Sequence, residues 1–168
     1  MSPREILSEV LVALDKGNYD KVLSLLSGDF KFSGPVPEPV GANEFVAFER
    51  ALRAALPNLR HNGKVYSEAE GEWVRGEVRV TGTHKSVLDM PAIPPVEATG
   101  KKIKLPTERW VALVRDGKII SFAAEVGPDG GLIGILKQIG RADLADCLLA
   151  KGSDCRTYGE QAATEAHY

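Results

Sequence analysis

Hydrophobic and polar positions alternate with period two from Val74 to His84. Val74, Gly76, Val78, Val80, Gly82 and His84 fall on one face, and Arg75, Glu77, Arg79, Thr81 and Thr83 fall on the other. A small or apolar face opposite a charged one predicts a strand with one side on a core and one side in water. The pattern puts a titratable ring, His84, in the interior just ahead of a proline-bearing loop, and leaves Arg75 and Arg79 in solvent. A slip of one residue would bury both arginines, so the register is strongly specified.

The rest of the chain supplies elements to pack against this strand. Ser2-Pro3-Arg4-Glu5 has the form of a capping box with proline at the first helical position. Leu7, Val10, Leu11 and Leu14 repeat at helical spacing until Gly17-Asn18. A short second helix is expected from Tyr19 to Leu26, and a short strand from Asp29 to Phe32 with both phenylalanines inward. The prolines of Gly34–Pro39 make either a stiff connector or the rim of a pocket. Phe45, Phe48, Leu52 and Leu56 mark an amphipathic helix closed by Pro57, its phenylalanines read as core. A strand from Leu59 to Ala69, with His61, Gly63 and Val65 on one face, forms a hairpin with the central strand across Glu70-Gly71. A long strand is expected from Lys102 to Arg115, interrupted or bulged at Pro106 and apolar on both sides. After the Asp116-Gly117 turn, Phe122 and Ala124 lie on the apolar side of a last strand. A helix follows with Leu132, Ile135, Leu136 and Ile139, and Leu144, Cys147 and Leu148 suit one more.

Composition narrows the class. A chain of 168 residues, 43% hydrophobic, suits one globular domain. A net charge of -2 gives no long-range field to recruit nucleic acid or an anionic membrane. No apolar run approaches the roughly 18 residues of a membrane span, and the start reads as a capped helix rather than a secretory leader. Cys147 and Cys155, with no histidine pair nearby, do not make a zinc site. They are expected to be reduced thiols of a cytoplasmic protein, a local disulfide being the second option.

Five pieces come in a fixed order: Thr81-Gly82-Thr83-His84, Ile93-Pro94-Pro95, Thr99-Gly100-Lys101-Lys102, Arg115-Asp116-Gly117-Lys118-Ile119, and Leu136-Lys137-Gln138-Ile139-Gly140. The series resembles the SnoaL-like polyketide cyclases, a branch of the nuclear-transport-factor-like cone-fold superfamily, over roughly residues 4 to 140. The resemblance implies an α+β fold, a cone in which a curved antiparallel sheet wraps around N-terminal and C-terminal helices. It gives a domain at 1–140 and an extension at 141–168, a short helix followed by a tail expected to be disordered. In such folds the outer sheet face often packs on a second subunit, which accounts for a strand apolar on both sides and implies a homodimer.

The resemblance also implies a chemistry. Its cyclases close a polyketide ester by an intramolecular aldol step without metal or organic cofactor, using an aspartate before the last helix as acid and base, with the motif histidine in the same cavity. A carboxylate can take the acidic proton of a carbon between two carbonyls, and desolvation raises its basicity. A neutral imidazole can donate a hydrogen bond to the developing enolate. His84 matches the motif position. Asp129 is the candidate carboxylate, although the family position falls on Gly131 and Asp129 stands two residues early. Phe122, Trp110, Glu108 and His61 complete the expected lining, with Glu108 as the reserve carboxylate and His61 carrying inward parity without a motif. The implied ligand is a largely apolar, polyketide-like carbonyl compound, and the implied activity is of the cyclase or isomerase kind. The alternative is a ligand-binding or assembly protein that keeps the cone without the chemistry. A dry cavity with a carboxylate near His84 favours the first; an interior filled by Phe122, Phe45 and Trp110, with Asp129 in solvent, favours the second.

Overall fold

A computed structural model describes residues 1–34, 38–66, 71–151 and 154–158. The centre of the proline stretch, the approach to the Glu70-Gly71 turn and the tail from 159 lie outside the described residues. Helix α1 (Pro3–Lys16) starts on the capping box: Ser2 Oγ accepts from the Glu5 amide at 3.2 Å, and Glu5 Oε2 accepts from the Ser2 amide at 3.3 Å. It ends at Gly17, whose φ of 68° needs a residue without a Cβ. Asn18 caps α2 (Tyr19–Ser24), and the chain turns directly into β1 (Leu26–Ser33), so Leu26 belongs to the strand and not to the helix. Helix α3 (Ala42–Ala55) stops ahead of Pro57.

The strands that follow are β2 (Lys64–Val65), β3 (Trp73–Val78), β4 (Thr81–Thr83), β5 (Lys102–Lys104), β6 (Glu108–Arg115) and β7 (Lys118–Glu125). Five of them form one sheet in the order β1-β7-β6-β3-β2, and β4 pairs with β5 in a separate two-stranded sheet. All pairings are antiparallel except that of β1 with β7, which is parallel. The main sheet is open, with β1 and β2 at its edges. The predicted central strand therefore divides after Val78, and the long strand divides at Pro106, opposite the same point. Leu105 N donates to Val80 O at 2.9 Å across the break, so one long ribbon bends from the first sheet into the second. The predicted parity holds along it: Val74, Gly76, Val78, Val80, Gly82 and His84 are buried, while Arg75 and Arg79 are exposed. Arg109 is exposed on the outer face.

Helices α1 and α3 pack on the inner side of the sheet, burying Leu7, Val10, Leu11 and Leu14 from one and Phe45, Val46 and Leu52 from the other. They meet an aromatic layer in which Phe122 stands 4.5 Å edge-on from Trp110 and 6.1 Å from Phe45, centroid to centroid. The outer side of β3, β6 and β7 carries Trp73, Val111, Leu113 and Ala123, and Trp73 is 46% exposed.

Helix α4 (Gly131–Gln138) is fastened to β5 through Gln138, which accepts from Lys104 N at 2.7 Å and donates to Lys104 O at 2.8 Å. Helix α5 (Ala142–Lys151) packs on α4 and buries Leu144, Ala145 and Cys147. The two cysteines are not reduced thiols: Cys147 and Cys155 are joined in a disulfide with Cα atoms 6.2 Å apart. Nor are residues 154–158 disordered. The chain doubles back after α5, and Cys155 is buried with its amide donating to Ala92 O at 2.7 Å. Apolar periodicity could not reveal this return, because it is set by one sulfur bridge and one backbone bond.

Gly134 lies where α4 crosses the loop before it, and a Cβ there would meet the Asp129 carbonyl oxygen. Backbone cannot yield as a flexible side chain can. Gly134→Ala is expected to lower folding stability by about 1–3 kcal/mol, the range for overpacking a tight site, read as a shift in the urea midpoint.

Candidate active site

Four ionisable side chains point into the apolar interior between α1, α3 and the sheet. Glu49 sits four residues after Phe45 and three before Leu52, on the stripe of α3 that faces the core, and is 6% exposed. Asp15 follows Leu11 by four in the last turn of α1, at the edge of the packed face. His61, 2% exposed, lies between them. Asp15 Oδ1 accepts from both the His61 amide and its Nδ1–H, each at 2.8 Å, and Glu49 Oε2 accepts from Nε2–H at 3.0 Å. Both nitrogens facing carboxylates makes the ring an imidazolium. Burial alone would push its pKa down, but the Glu49 charge and the hydrogen bonds to Asp15 and Glu49 outweigh that and carry it up to about 10. Asp15 moves the opposite way: burial raises its pKa, and the His61 ring and amide together bring it below the ordinary value.

Glu108 reaches the same region from β6. Its Oε2 accepts from Trp110 Nε1–H at 2.9 Å, the two side chains being two residues apart on the inner face of the strand. The Trp110 ring stands edge-on 6.1 Å from His61. Glu108 is 6% exposed, and burial pushes its pKa up. The Trp110 bond, the His61 charge and the Gly131 amide oppose the rise, and the Glu49 charge adds to it. Glu108 is thus the carboxyl that holds its proton to a higher pH than an ordinary glutamate. The Gly131 amide, at the start of α4 where the family resemblance places an aspartate, is near enough to lower its pKa.

His84 is fully buried at the other end of the bent ribbon. Six residues separate it from Val78, the partner of Glu108, an extended span of up to about 20 Å. The Thr99 amide, which can only donate, points at Nδ1 at 3.3 Å, and the Thr99 hydroxyl lies 2.9 Å from the same nitrogen. Nδ1 therefore carries the lone pair and Nε2 the proton. Burial holds the His84 pKa below the ordinary value, and the Val96 and Ser86 carbonyls soften that effect. Neither carbonyl makes a hydrogen bond to Nε2, which is buried without a partner among the described residues.

Asp129 does not join this interior. Its side chain is 71% exposed and pairs with Lys137 at 3.1 Å on the surface of α4. The Pro-Asp-Gly-Gly turn projects it outward into water. Of the predicted residues, Glu108, Trp110, Phe122 and His61 are in one cluster, His84 is apart, and Asp129 is outside. Asp15 and Glu49 were not among the sequence candidates. Their signal was present as acidic residues continuing the apolar stripes of two helices.

A sequence model of the SnoaL-like domain matches residues 7–122. The chain belongs to the SnoaL-like domain family. No curated protein matches it. Among solved structures it resembles a candidate polyketide cyclase from Pseudomonas putida KT2440, with a TM-score of 0.64 and 22% identity over 82% of this chain and 98% of that one. It also resembles TsrD from Streptomyces laurentii, with a TM-score of 0.60 and 17% identity over 82% and 93%. A nuclear-transport-factor-like protein of unknown function from Cytophaga hutchinsonii matches at 0.53 and 17% over 76% and 92%. At these identities the likenesses establish the cone fold. Among the described residues, no helix is long and apolar enough to cross a membrane, and no group of three or more His, Cys, Asp or Glu side chains is arranged to hold a metal.

The charge cluster gives stability a definite pH dependence. His61 binds its proton more tightly folded than unfolded, so its contribution is complete below the unfolded value of about 6.5. It is lost as pH rises through the folded value of about 10. Urea unfolding should show stability falling across that window, and His61→Gln should remove this part of the slope. His61→Ala, which leaves Asp15 and Glu49 facing each other unpaired, should cost about 3–5 kcal/mol at neutral pH.

Proposed function

We propose that this SnoaL-like chain is a cofactor-free acid–base catalyst of the cyclase or isomerase kind, acting on a largely apolar carbonyl compound taken into the cone. The observation that carries this is Glu108: a carboxyl of raised pKa, oriented by Trp110, between the His61–Glu49 ion pair and the start of α4. Such a group can exchange a proton with a carbon between two carbonyls near neutral pH. Phe122, Trp110 and Phe45 are the apolar walls, and His84, with Nε2–H unpartnered, is the donor for a carbonyl at the far end of an extended ligand. His61 braces the carboxylates, since both of its nitrogens are engaged.

A second reading has its own support. The aromatic side chains pack on one another and Asp129 is in solvent, as expected of a cone that binds or assembles without chemistry. Turnover of a panel of polyketide-like 1,3-dicarbonyl compounds separates the two. Glu108→Gln is expected to abolish turnover while leaving ligand binding within a few-fold, and Asp129→Asn to leave both unchanged. Binding without turnover in the unmutated protein would select the second reading, and turnover surviving Glu108→Gln would remove Glu108 from the mechanism.

The outer sheet face supports a homodimer. Trp73, Val111, Leu113 and Ala123 form an apolar strip on β3, β6 and β7, flanked by Arg75, Arg109 and Glu125. An interface there would bury roughly 800 Å² per partner. Light scattering at micromolar concentration should report a dimer, and Leu113→Lys should convert it to a folded monomer.

A further inference from the structure

The return of the chain after α5 docks on the loop that walls the His84 ring. Beyond β4 this loop is closed at its base by Leu88 and Val96, which exchange two backbone hydrogen bonds of 2.9 Å. Its tip is a turn from Met90 to Ile93, where the Ile93 amide donates to Met90 O at 3.3 Å. Leu88, Met90, Ile93 and Val96 are all buried, so the loop forms one side of the core. The Ser86 and Val96 carbonyls face the His84 imidazole, and the Thr99 hydroxyl lies 2.9 Å from its Nδ1. From outside, the tip is fastened by the Cys155 amide, which donates to Ala92 O at 2.7 Å.

Most of the bonds within residues 154–158 are internal to that segment. Asp154 accepts from the Arg156 amide at 3.1 Å and pairs with its guanidinium at 2.8 Å in solvent, and the Tyr158 amide donates to Cys155 O at 3.2 Å. These shape the turn without tying it to the domain. The ties are the bond to Ala92, the Tyr158 ring against the edge of the core, and the disulfide. One backbone hydrogen bond contributes less than the ordering of several residues costs. The bridge offsets that cost by holding Cys155 beside Cys147, which sits one turn before the end of α5. The sulfur–sulfur bond therefore decides whether the return stays on the loop.

We propose that the Cys147–Cys155 disulfide is a redox latch: closed, it holds the Leu88–Val96 loop shut over His84, and reduced by a dithiol, it lets that loop open. The latch controls access to the His84 end of the interior, and it stands whether or not the acid–base chemistry proposed above operates. In the opening step a thiolate of the dithiol attacks Cys147 Sγ, since Cys147 is 7% exposed and Cys155 only 1%. The disulfide bond breaks, and its electron pair leaves on Cys155 Sγ, which takes a proton from water. The second thiolate of the dithiol then attacks the mixed disulfide and frees Cys147 as a thiolate, which is protonated in turn. The dithiol gives up two electrons and becomes a disulfide, and the bridge gains two and becomes two thiols.

Backbone amide exchange of the full chain, with and without dithiothreitol, tests the latch. Reduction should speed exchange of the Leu88 and Val96 amides by about tenfold, the scale of losing one tertiary hydrogen bond. The amides of β6 and β7 should be unchanged, and iodoacetamide should then label two thiols in the folded chain. Diethyl pyrocarbonate, which acylates neutral imidazole, reads the same opening at the ring. It should leave His84 unmodified in the oxidised chain and modify it in the double variant Cys147→Ser, Cys155→Ser, which lacks the bridge and has no thiols to compete. If that variant does not fold, the reduced unmutated chain carries the test alone. Leu88 and Val96 equally protected in both states, or His84 equally shielded in a folded double variant, would overturn the latch. A bridge that dithiothreitol does not reduce in the folded chain would also overturn it. So would faster exchange across β6 and β7 as well, which would make the bridge a staple of the whole fold.

Discussion

The structure depends on one buried ion triad. Burying His61 and Glu49 in an apolar interior, with Asp15 at its edge, takes two charges out of water at an effective cost of several kcal/mol for each ion and partly desolvates a third. That cost is offset only because one imidazolium meets two carboxylates at 2.8 and 3.0 Å, and because the Asp15 oxygen also takes the His61 amide. The end of α1, the middle of α3 and the segment leading into β2 are thereby fixed together, although they are 46 and 12 residues apart in sequence. Hydrophobic contacts alone would allow the two helices to slide on the sheet. A hydrogen-bonded cation at their junction does not.

The same triad makes the interior chemically uneven. Glu108 lies beside it with the Trp110 indole N–H as its side-chain donor, and burial pushes its pKa above the ordinary glutamate value. That shift arises from placement alone. Glu108 lies on β6, with the Gly131 amide at the start of α4 among the groups that lower its pKa, while the loop carboxylate Asp129 faces water.

Much of the fold was legible because it follows from local pattern. The capping box at Ser2, the glycine stop at Gly17 and the parity from Val74 to His84 each act within a few residues, and each predicts its element correctly. Two features escaped because they are set at a distance. The division of the long ribbon between two sheets follows from a bend shared by Val80 and Leu105. The return of the tail follows from the Cys147–Cys155 bridge. The site was legible only in part. Motif order drew attention to His84 and Asp129, whereas the charged cluster was written as two acids on helical apolar stripes, at Asp15 and Glu49. Each is unremarkable until the opposing histidine is placed. His61 had the right parity, but its partners are assigned only by tertiary packing.

The protonation state of His61 bears most directly on this account. Nitrogen NMR of the imidazole rings, recorded from pH 6 to pH 11, separates its three histidines by their titration. His61 should remain doubly protonated at neutral pH and lose a proton only near pH 10, while His84 stays neutral with its proton on Nε2. A His61 ring with a single proton at neutral pH would contradict the triad, and with it the charge framework on which the site is built.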